Sequence, residues 1–263
     1  MKVMVVFGTR PEAIKMAPLV KALQQAAPAI QTLVCVTAQH REMLDQVLRL
    51  FDIQPEYDLD VMKPGQDLFD VTANILTGIK PVLSAEQPDL VLVHGDTSTT
   101  LAASLAAYYV RARVGHIEAG LRTGNKWAPF PEEMNRRITG AVADIHFAPT
   151  TAAKANLVRE GVPEKGIHVT GNTVIDALLV VVDKLRADAA LRQRLDEEFS
   201  YLKANRRLIL VTGHRRENFG EGFQNICHAL ADIASAHPDV DVLYPVHLNP
   251  KVRQPVRDIL AAR

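Results

Sequence analysis

Apolar residues occur along the chain in short continuous runs, and each run ends in a polar turn that leads into a segment with helical spacing. Such runs are typical of strands that are buried on both faces of a parallel sheet. They predict strands at residues 3–7, 32–36, 90–93, 114–118, 144–149, 167–170, 208–212 and 240–246. Strands that alternate with helices at intervals of roughly 20 to 35 residues predict an α/β fold with a doubly wound parallel sheet.

The helical spacing predicts helices at residues 41–51, 67–86, 132–139, 151–159, 222–237 and 250–262, and one long helix from about residue 172 to residue 198. We expect a polar loop at residues 55–65. A first domain at residues 1–171 then contains six predicted strands, and a second domain at residues 172–263 contains two. Because a comparable α/β domain needs about five or six strands, we expect the second domain to be incomplete and the chain to be a fragment of a longer polypeptide.

The stretch at residues 90–107 is the centre of this pattern. Its apolar run stops at Gly95-Asp96, and a cluster of Thr and Ser then opens an Ala- and Leu-rich helix. Ligands of open α/β sheets bind at the carboxyl ends of the strands, where helix N-termini offer free N–H groups. Asp96 lies at this edge and is a candidate site residue. A simple N-cap of the following helix is the equally open alternative for Asp96.

Composition limits the classes of partner. Lys and Arg together number 30, as do Asp and Glu, so the 263-residue chain has a formal net charge of 0. This balance argues against nucleic-acid binding and against a membrane-surface role, since both use an excess of basic charge. The N-terminal apolar run is too short for a signal peptide, and no stretch of about 18 apolar residues predicts a transmembrane helix. Cys35 and Cys227 stand in apolar contexts, which predicts buried reduced thiols in a cytoplasmic protein.

Charged side chains follow several predicted strands. Arg10 and Lys15 lie early in the helix after the first strand, Glu118 ends the strand at residues 114–118, and His214 stands between a strand and two arginines. Cations and carboxylates in one cleft suit a sugar nucleotide, because cations bind the diphosphate while carboxylates act on sugar protons and hydroxyls. The structural alternatives are solvated surface charges for Arg10 and Lys15 and a satisfied structural histidine for His214.

Glu132 and Arg136 are four residues apart on a predicted helix and share a face. They are candidates for the same site, with a mutual salt bridge as the structural alternative. No spacing among the histidines near strand ends resembles a zinc site. Because a Gly-x-Ser-x-Gly elbow and a Cys/His nucleophile arrangement are also absent from the sequence, it predicts neither a metal centre nor a covalent hydrolase.

Seven sequence blocks, spread in order over the chain, carry a specific resemblance. They are FGTRPEAIKMAP (7–18), TAQHRE (37–42), HGDT (94–97), HIEAGLRT (116–123), PEEMNR (131–136), TGNTVID (170–176) and GHRREN (213–218). With these blocks the chain resembles the bacterial non-hydrolysing UDP-N-acetylglucosamine 2-epimerases. The resemblance implies the GT-B fold, in which two Rossmann-like domains face a cleft that holds the nucleotide, and a homodimer that needs no cofactor.

The resemblance also implies a reaction. UDP is eliminated across C1 and C2 of the sugar to give 2-acetamidoglucal and is then added back with the opposite configuration at C2. UDP-N-acetylglucosamine and UDP-N-acetylmannosamine thereby interconvert, which supplies N-acetylmannosamine-type sugars for cell-surface polysaccharide. By motif match the implied catalytic residues are Asp96, Glu118, Glu132 and His214. The implied substrate-binding residues are Arg10, Lys15, Asp96, Glu118, Arg136 and His214, of which Arg10, Lys15 and His214 hold the diphosphate.

Some bacterial members bind a second UDP-N-acetylglucosamine as an activator, and Gln39 and His40 match that site. Glu42 departs from the family pattern, which has Gln there, so activation by substrate stays open. In the family, the later part of the second domain binds uridine. We therefore expect these 263 residues alone to bind UDP poorly and to be inactive.

Three alternative functions stay open at this point. A hydrolysing relative would release free N-acetylmannosamine and UDP, and a GT-B glycosyltransferase would move the sugar to an acceptor. A third alternative is a fragment that only binds a nucleotide or a partner. The three carboxylates favour epimerisation, because a retaining transferase has less need of several acid/base groups.

Overall fold

A computed structural model describes residues 1–37, 41–61, 63, 65–203, 205–213, 219–247 and 249–260, without the side chains of residues 41 and 42. The predicted site residues Gln39, His40 and His214 therefore lie outside the described residues. The described chain divides into two compact units, Met1–Lys184 and Leu185–Arg263.

The first unit contains a parallel sheet of seven strands. These are β1 (Lys2–Phe7), β2 (Gln31–Val36), β3 (Tyr57–Asp58), β4 (Leu90–His94), β5 (Arg113–Ile117), β6 (Ile145–Ala148) and β7 (Ile167–Val169). Six of them confirm the predicted strands to within a few residues. β3 lies inside the predicted loop at residues 55–65, because two residues that pair only at the edge of a sheet leave no periodic signal.

Six helices follow the strands of this unit, and a seventh begins in it. They are α1 (Arg10–Gln25), α2 (Arg41–Leu50), α3 (Leu68–Glu86), α4 (Ser98–Tyr109), α5 (Glu132–Val142), α6 (Thr151–Arg159) and α7 (Thr173–Ala187). Alternate residues of β1 face opposite cores, as the period of a strand requires. Val3, Val5 and Phe7 pack with α1 and α2, whereas Met4 and Val6 pack with α3 and α4. Helices thus cover both faces of the sheet, which confirms the predicted doubly wound α/β fold.

The strand order fixes where a ligand can bind. The order is β3-β2-β1-β4-β5-β6-β7, so the chain runs outward from β1 in one direction and from β4 in the other. Adjacent strands whose connections leave in opposite directions form a topological switch point, with a crevice outside their carboxyl ends. The turns after β1 and β4 carry Arg10 and Asp96, respectively.

The predicted single helix from residue 172 to residue 198 is wrong. Asp188 interrupts it in an extended conformation, and its side chain caps a new helix, α8 (Ala189–Glu198), by accepting from the N–H of Leu191 at 2.9 Å. An aspartate is a preferred N-cap, so the break has a local cause. The division between the compact units falls inside α7, since Ala177 and Val181 pack on the core of the first unit. The predicted domain boundary at residue 172 stays a prediction.

In the second unit, β8 (Arg207–Leu210) pairs in parallel with β9 (Val240–Leu243). The helices α9 (Glu221–Ala236) and α10 (Pro250–Leu260) pack through Phe223, Cys227 and Val252. Cys227 and Cys35 are both free and buried, as predicted, and burial raises the pKa of the Cys35 thiol to about 12. Within the described ranges, every helix is too short or too polar to cross a membrane.

Candidate active site

The turn between β1 and α1 is organised by a capping box. The side chain of Thr9 accepts from the N–H of Glu12, and the Glu12 carboxylate accepts from the N–H groups of Gly8 at 3.0 Å and Thr9 at 2.8 Å. These N–H groups would otherwise be free to bind an anion. Because Glu12 already occupies them, these two N–H groups are not available to an anion, and a cationic side chain can take that role. Arg10 is exposed at the first position of α1 and fits that role.

The turn between β4 and α4 tests the interpretation of Asp96 as a simple N-cap. Thr97 is the N-cap of α4, and its hydroxyl accepts from the N–H of Thr100 at 3.1 Å. The interpretation of Asp96 as a simple N-cap is therefore wrong. The Asp96 carboxylate instead forms an ion pair with the Arg136 guanidinium at 2.6 Å.

Glu118 follows β5 and lies at the centre of the cluster. Its carboxylate pairs with the Lys15 ammonium, with Arg136 at 3.3 Å, and accepts from the side-chain amide of Asn172 at 3.2 Å. Its backbone φ is 61°, a left-handed conformation that is uncommon for a residue other than glycine. Arg136 also donates to the Glu118 carbonyl and thereby supports this conformation. Strained residues of this kind concentrate at functional sites.

The charges around Glu118 outweigh its burial. Only 8% of the residue is exposed, and burial by itself opposes ionisation. The protonated form of His94, which exists only at acid pH, and the cations Lys15 and Arg136 nevertheless hold the pKa of the carboxyl below its usual value. His94 ends β4, with its Nε2 atom 3.9 Å from the Glu118 carboxylate. Burial lowers the pKa of His94 to about 4, so its ring is neutral at pH 7. The site therefore presents an ionised Glu118 between two cations and a neutral imidazole.

Arg136 connects the two carboxylates. Its side chain is buried on α5 and contacts Asp96 and Glu118, whereas among the described residues it forms no ion pair with Glu132. The alternative of a mutual Glu132–Arg136 salt bridge is thus wrong. Glu132 is partly buried at the first position of the same helix. Of the predicted site residues, the contacts join Lys15, Asp96, Glu118 and Arg136 into one network. Within the part of the chain that the structure describes, the side chains of Arg10 and Glu132 form no hydrogen bond or ion pair with it.

Several residues of the site were not singled out from the sequence. Asn172 contacts Glu118, and Asn135 donates to the carbonyl of Asp96 at 2.9 Å. Glu133 is buried and accepts from the N–H groups of Thr123 at 3.0 Å and Gly124 at 3.2 Å, which fixes the loop before α5. All three lie inside the sequence blocks quoted above, and that membership was the one available signal.

The arrangement suits acid–base chemistry on a bound anion. Two carboxylates share one arginine, a lysine pairs with one of them, and an exposed arginine lies on the adjacent turn. Within the described residues, His, Cys, Asp and Glu form no group that could hold a metal ion. The fold and this network define an α/β protein with, at the switch point of its sheet, a site suited to proton transfer and anion binding.

Comparisons with known proteins identify the family. The profile described as UDP-N-acetylglucosamine 2-epimerase matches residues 21–263. The UDP-N-acetylglucosamine 2-epimerases of Yersinia pestis and Escherichia coli K12 are 62% and 60% identical to the chain over 260 residues, which cover 99% of the chain and 69% of each relative. The chain belongs to the UDP-N-acetylglucosamine 2-epimerase family.

Solved structures agree with this assignment. The UDP-GlcNAc 2-epimerase from Neisseria meningitidis, solved with UDP-GlcNAc, superposes with a TM-score of 0.93 at 52% identity, over 100% of this chain and 70% of that one. The enzyme from Methanocaldococcus jannaschii, solved with UDP-GlcNAc and UDP, gives a TM-score of 0.80 at 31% identity, over 98% of this chain and 69% of that one. A lipopolysaccharide galactosyltransferase at 12% identity gives a TM-score of 0.53 over 99% of this chain and 71% of that one, and it shares the fold alone.

Proposed function

We propose that this protein interconverts UDP-N-acetylglucosamine and UDP-N-acetylmannosamine without hydrolysing either. The observation that carries the proposal is the network in which Arg136 contacts Asp96 at 2.6 Å and Glu118 at 3.3 Å while Lys15 pairs with Glu118. Epimerisation at C2 requires a group that removes a proton and a group that returns one on the opposite face. A site with more than one carboxylate supplies both.

The proposed chemistry is an elimination followed by an addition. A carboxylate takes the proton from C2, the electron pair of that C–H bond forms the C1=C2 double bond, and the bond from C1 to the diphosphate oxygen breaks. UDP leaves with the electron pair of the C1–O bond, and the sugar becomes 2-acetamidoglucal. In the return step UDP re-forms the bond to C1, and C2 receives a proton on the other face. Asp96, Glu118 and Glu132 are the acid/base candidates for these transfers.

Cations stabilise the leaving group in this scheme. Negative charge develops on the diphosphate as the C1–O bond breaks, and fixed cations that contact it lower the barrier. Arg10 is exposed at the start of α1, and Lys15 lies in the second turn of the same helix. We assign both to the diphosphate together with His214. Arg136 orients Asp96 and Glu118, and its buried guanidinium disfavours protonation of Glu118.

Further properties follow from family membership and are part of the proposal. We propose a cytoplasmic homodimer that needs no cofactor and supplies N-acetylmannosamine-type sugars for cell-surface polysaccharide. We also propose Gln39 and His40 as part of a second site for UDP-N-acetylglucosamine.

Proton NMR of UDP-N-acetylglucosamine in D2O tests the proposed function. The assay uses the 263-residue chain and a chimera that adds the part of the Yersinia pestis relative outside the match, because the chain covers 69% of that relative. Deuterium at C2 together with UDP-N-acetylmannosamine is the expected result. Free N-acetylmannosamine would indicate the hydrolysing alternative, and no deuterium with either protein would refute the proposal.

Matched variants assign the chemistry to the site. Asp96→Asn, Glu118→Gln and Glu132→Gln each remove a carboxylate and should lower the rate of deuterium incorporation by about 100-fold or more. Glu164→Gln is the control, because Glu164 is exposed and its ion pair with Lys154 lies outside the network. It should leave the rate within about twofold of the unsubstituted protein.

A further inference from the structure

Glu12 is a buried carboxylate that none of the proposed steps uses. It is 2% exposed and lies in the first turn of α1. One of its oxygens accepts from the N–H groups of Gly8 and Thr9, and the other accepts from the Thr97 hydroxyl at 2.6 Å. The Thr100 hydroxyl lies 3.2 Å from that second oxygen and also donates to the carbonyl of His94. The carboxylate is therefore bonded on both sides.

These hydrogen bonds cross the switch point of the sheet. Gly8 and Thr9 belong to the turn after β1, whereas Thr97, 85 positions after Glu12 in the chain, is the N-cap of α4 after β4. The two helices start side by side at the edge where ligands of this fold class bind. The first turn leads directly into Arg10 at the start of α1 and is called the Arg10 turn, whereas the second contains Asp96 and is called the Asp96 turn.

The turn after β1 is also closely packed at Gly8, against Thr37 just after β2 and Thr99 in the first turn of α4. The hydroxyls of Thr37 and Thr99 lie 2.9 Å apart and are fully buried. A Cβ atom on Gly8 would lie 1.9 Å from the Thr37 hydroxyl and 2.6 Å from the Thr99 hydroxyl. The turn after β1 thus has no room to shift toward α4, and Glu12 prevents it from shifting away.

We propose that Glu12 is a positioning residue that sets the distance between the Arg10 turn and the Asp96 turn, and thereby between the diphosphate and the acid/base groups. This inference rests on the proposed function. A displacement of about 1 Å between a binding group and a reacting group can lower a catalytic rate by about 100-fold. A carboxylate shared by two turns is a direct means of preventing such a displacement.

The charge state of Glu12 matters for this role. Burial raises the pKa of its carboxyl, while the hydrogen bonds from Thr97, Gly8 and Thr9 act in the opposite direction. The ionised form accepts on both oxygens, whereas a protonated or amide form carries a donor on one side. Glu12→Gln can keep the capping box of α1 through its amide oxygen, because Gln is tolerated at this position of the motif. Its amide nitrogen then replaces the acceptor that the Thr97 hydroxyl needs.

A double-mutant cycle tests the inference in the form of the protein that is active in the D2O assay. The variants are Glu12→Gln, Thr97→Val and their combination, with Thr97→Ser as the conservative rescue. We expect Glu12→Gln and Thr97→Val each to lower kcat by about tenfold and to change KM by no more than about threefold. Because both substitutions remove the same hydrogen bond, kcat of the double variant should lie within about twofold of that of the slower single variant. Thr97→Ser keeps the hydroxyl and should stay within about threefold of the unsubstituted protein.

Asp70→Asn is the matched control. Asp70 occupies the same position of the capping box of α3, where it accepts from the N–H of Asp67 at 3.1 Å, and it is exposed. Its substitution removes a capping carboxylate without touching the site, so kcat should stay within about twofold. If Glu12→Gln or Thr97→Val lowers the stability but leaves kcat at the level of this control, Glu12 has only a structural role and the inference is overturned. If Glu12→Gln does not fold, the test is the comparison of kcat between Thr97→Val and Thr97→Ser, and equal values would overturn the inference.

A readout that does not depend on activity separates this inference from the proposed function. If the unsubstituted protein exchanges no C2 proton, the proposed function fails, and amide hydrogen exchange then tests the connection between the turns. Thr97→Val should accelerate exchange of the Gly8 and Thr9 amides by at least about fivefold, whereas Thr97→Ser should not. Unchanged exchange at these amides would overturn the inference.

Discussion

Arg136 and Asp96 form an ion pair at 2.6 Å across 40 positions of sequence, and the same guanidinium nitrogen lies 3.3 Å from Glu118. One buried arginine thus holds two carboxylates that come from the ends of adjacent strands. A single cation that contacts both can fix their separation, and it favours the ionised form of Glu118. Substitution of Arg136 should therefore affect both the rate and its pH dependence.

Arg136→Met should lower kcat by about 100-fold or more, because it leaves two carboxylates close together without their shared cation. The loss of positive charge also raises the pKa of Glu118. The acid limb of the pH profile of kcat/KM should therefore move to higher pH. Arg137→Met is the control, since Arg137 is partly exposed and its ion pairs with Glu133 and Glu160 are 3.6 and 3.5 Å long. An unchanged acid limb in Arg136→Met would contradict the assigned role.

Asn172→Asp tests the electrostatics of Glu118 with almost no change in shape. Asn172 donates to Glu118 at 3.2 Å, and its side-chain oxygen accepts from the N–H of Val174 at 3.1 Å. The aspartate keeps the second hydrogen bond but replaces the donor by a negative charge, so the pKa of Glu118 should rise. We expect kcat/KM at pH 6 to fall by about tenfold or more, and the decrease to become smaller at pH 8.

Asn172→Ala separates the charge from the lost hydrogen bond. It removes the donor without adding charge, so its effect on kcat/KM should be several-fold smaller than that of the aspartate and should depend less on pH. Equal effects of the two variants at both pH values would show that charge near Glu118 does not control the rate.

Three buried histidines should make the protein sensitive to acid. His94, His116 and His146 end or lie in β4, β5 and β6, and burial is the largest cause that lowers the pKa of each. A pKa that is lower in the folded state means that the unfolded chain binds protons first as the pH falls. The free energy of unfolding should therefore decrease from about pH 6.5 downward. For His94, with a folded pKa of about 4, this decrease amounts to about 3 kcal/mol and is complete only once the pH has fallen through the folded pKa.

Urea unfolding between pH 7.5 and pH 4, followed by circular dichroism, measures the slope of the free energy of unfolding against pH. His94→Gln should reduce the slope by about one proton between pH 6.5 and pH 4. His168→Gln is the control, because His168 is exposed and the solvent reaches its ring in the folded state. A slope that is the same in His94→Gln and the unsubstituted protein would contradict the prediction.

Gly8→Ala should destabilise the protein, because the added Cβ would lie 1.9 Å from the Thr37 hydroxyl and 2.6 Å from the Thr99 hydroxyl. Insertion of a methyl group into such a packed contact costs about 1–3 kcal/mol. Gly222→Ala is the control, since nothing lies within 4 Å of a Cβ at that position of α9. It should be neutral or stabilise by up to about 1 kcal/mol, because alanine is the better helix former. The free energies of unfolding in urea measure both changes.

The alternation of strands and helices could be predicted from the sequence because its causes are local. Continuous apolar runs such as residues 90–93 are required of strands that are buried on both faces, and the polar turns after them are required for the chain to leave the sheet. The errors also have local causes. β3 is too short to carry a period, and Asp188 ends a helix that the apolar pattern continues.

The sequence by itself determined the fold class, the placement of Asp96 and Glu118 at strand ends, and, through its motif blocks, the family. The tertiary structure alone decided the pairing of the charges. Arg136 contacts Asp96 and Glu118 instead of Glu132, and Glu12 contacts Thr97 across the switch point. These partners are 18 to 85 positions apart in the chain. Local spacing cannot predict such contacts, because they exist only once the strand order has brought the ends of β1, β4 and β5 together.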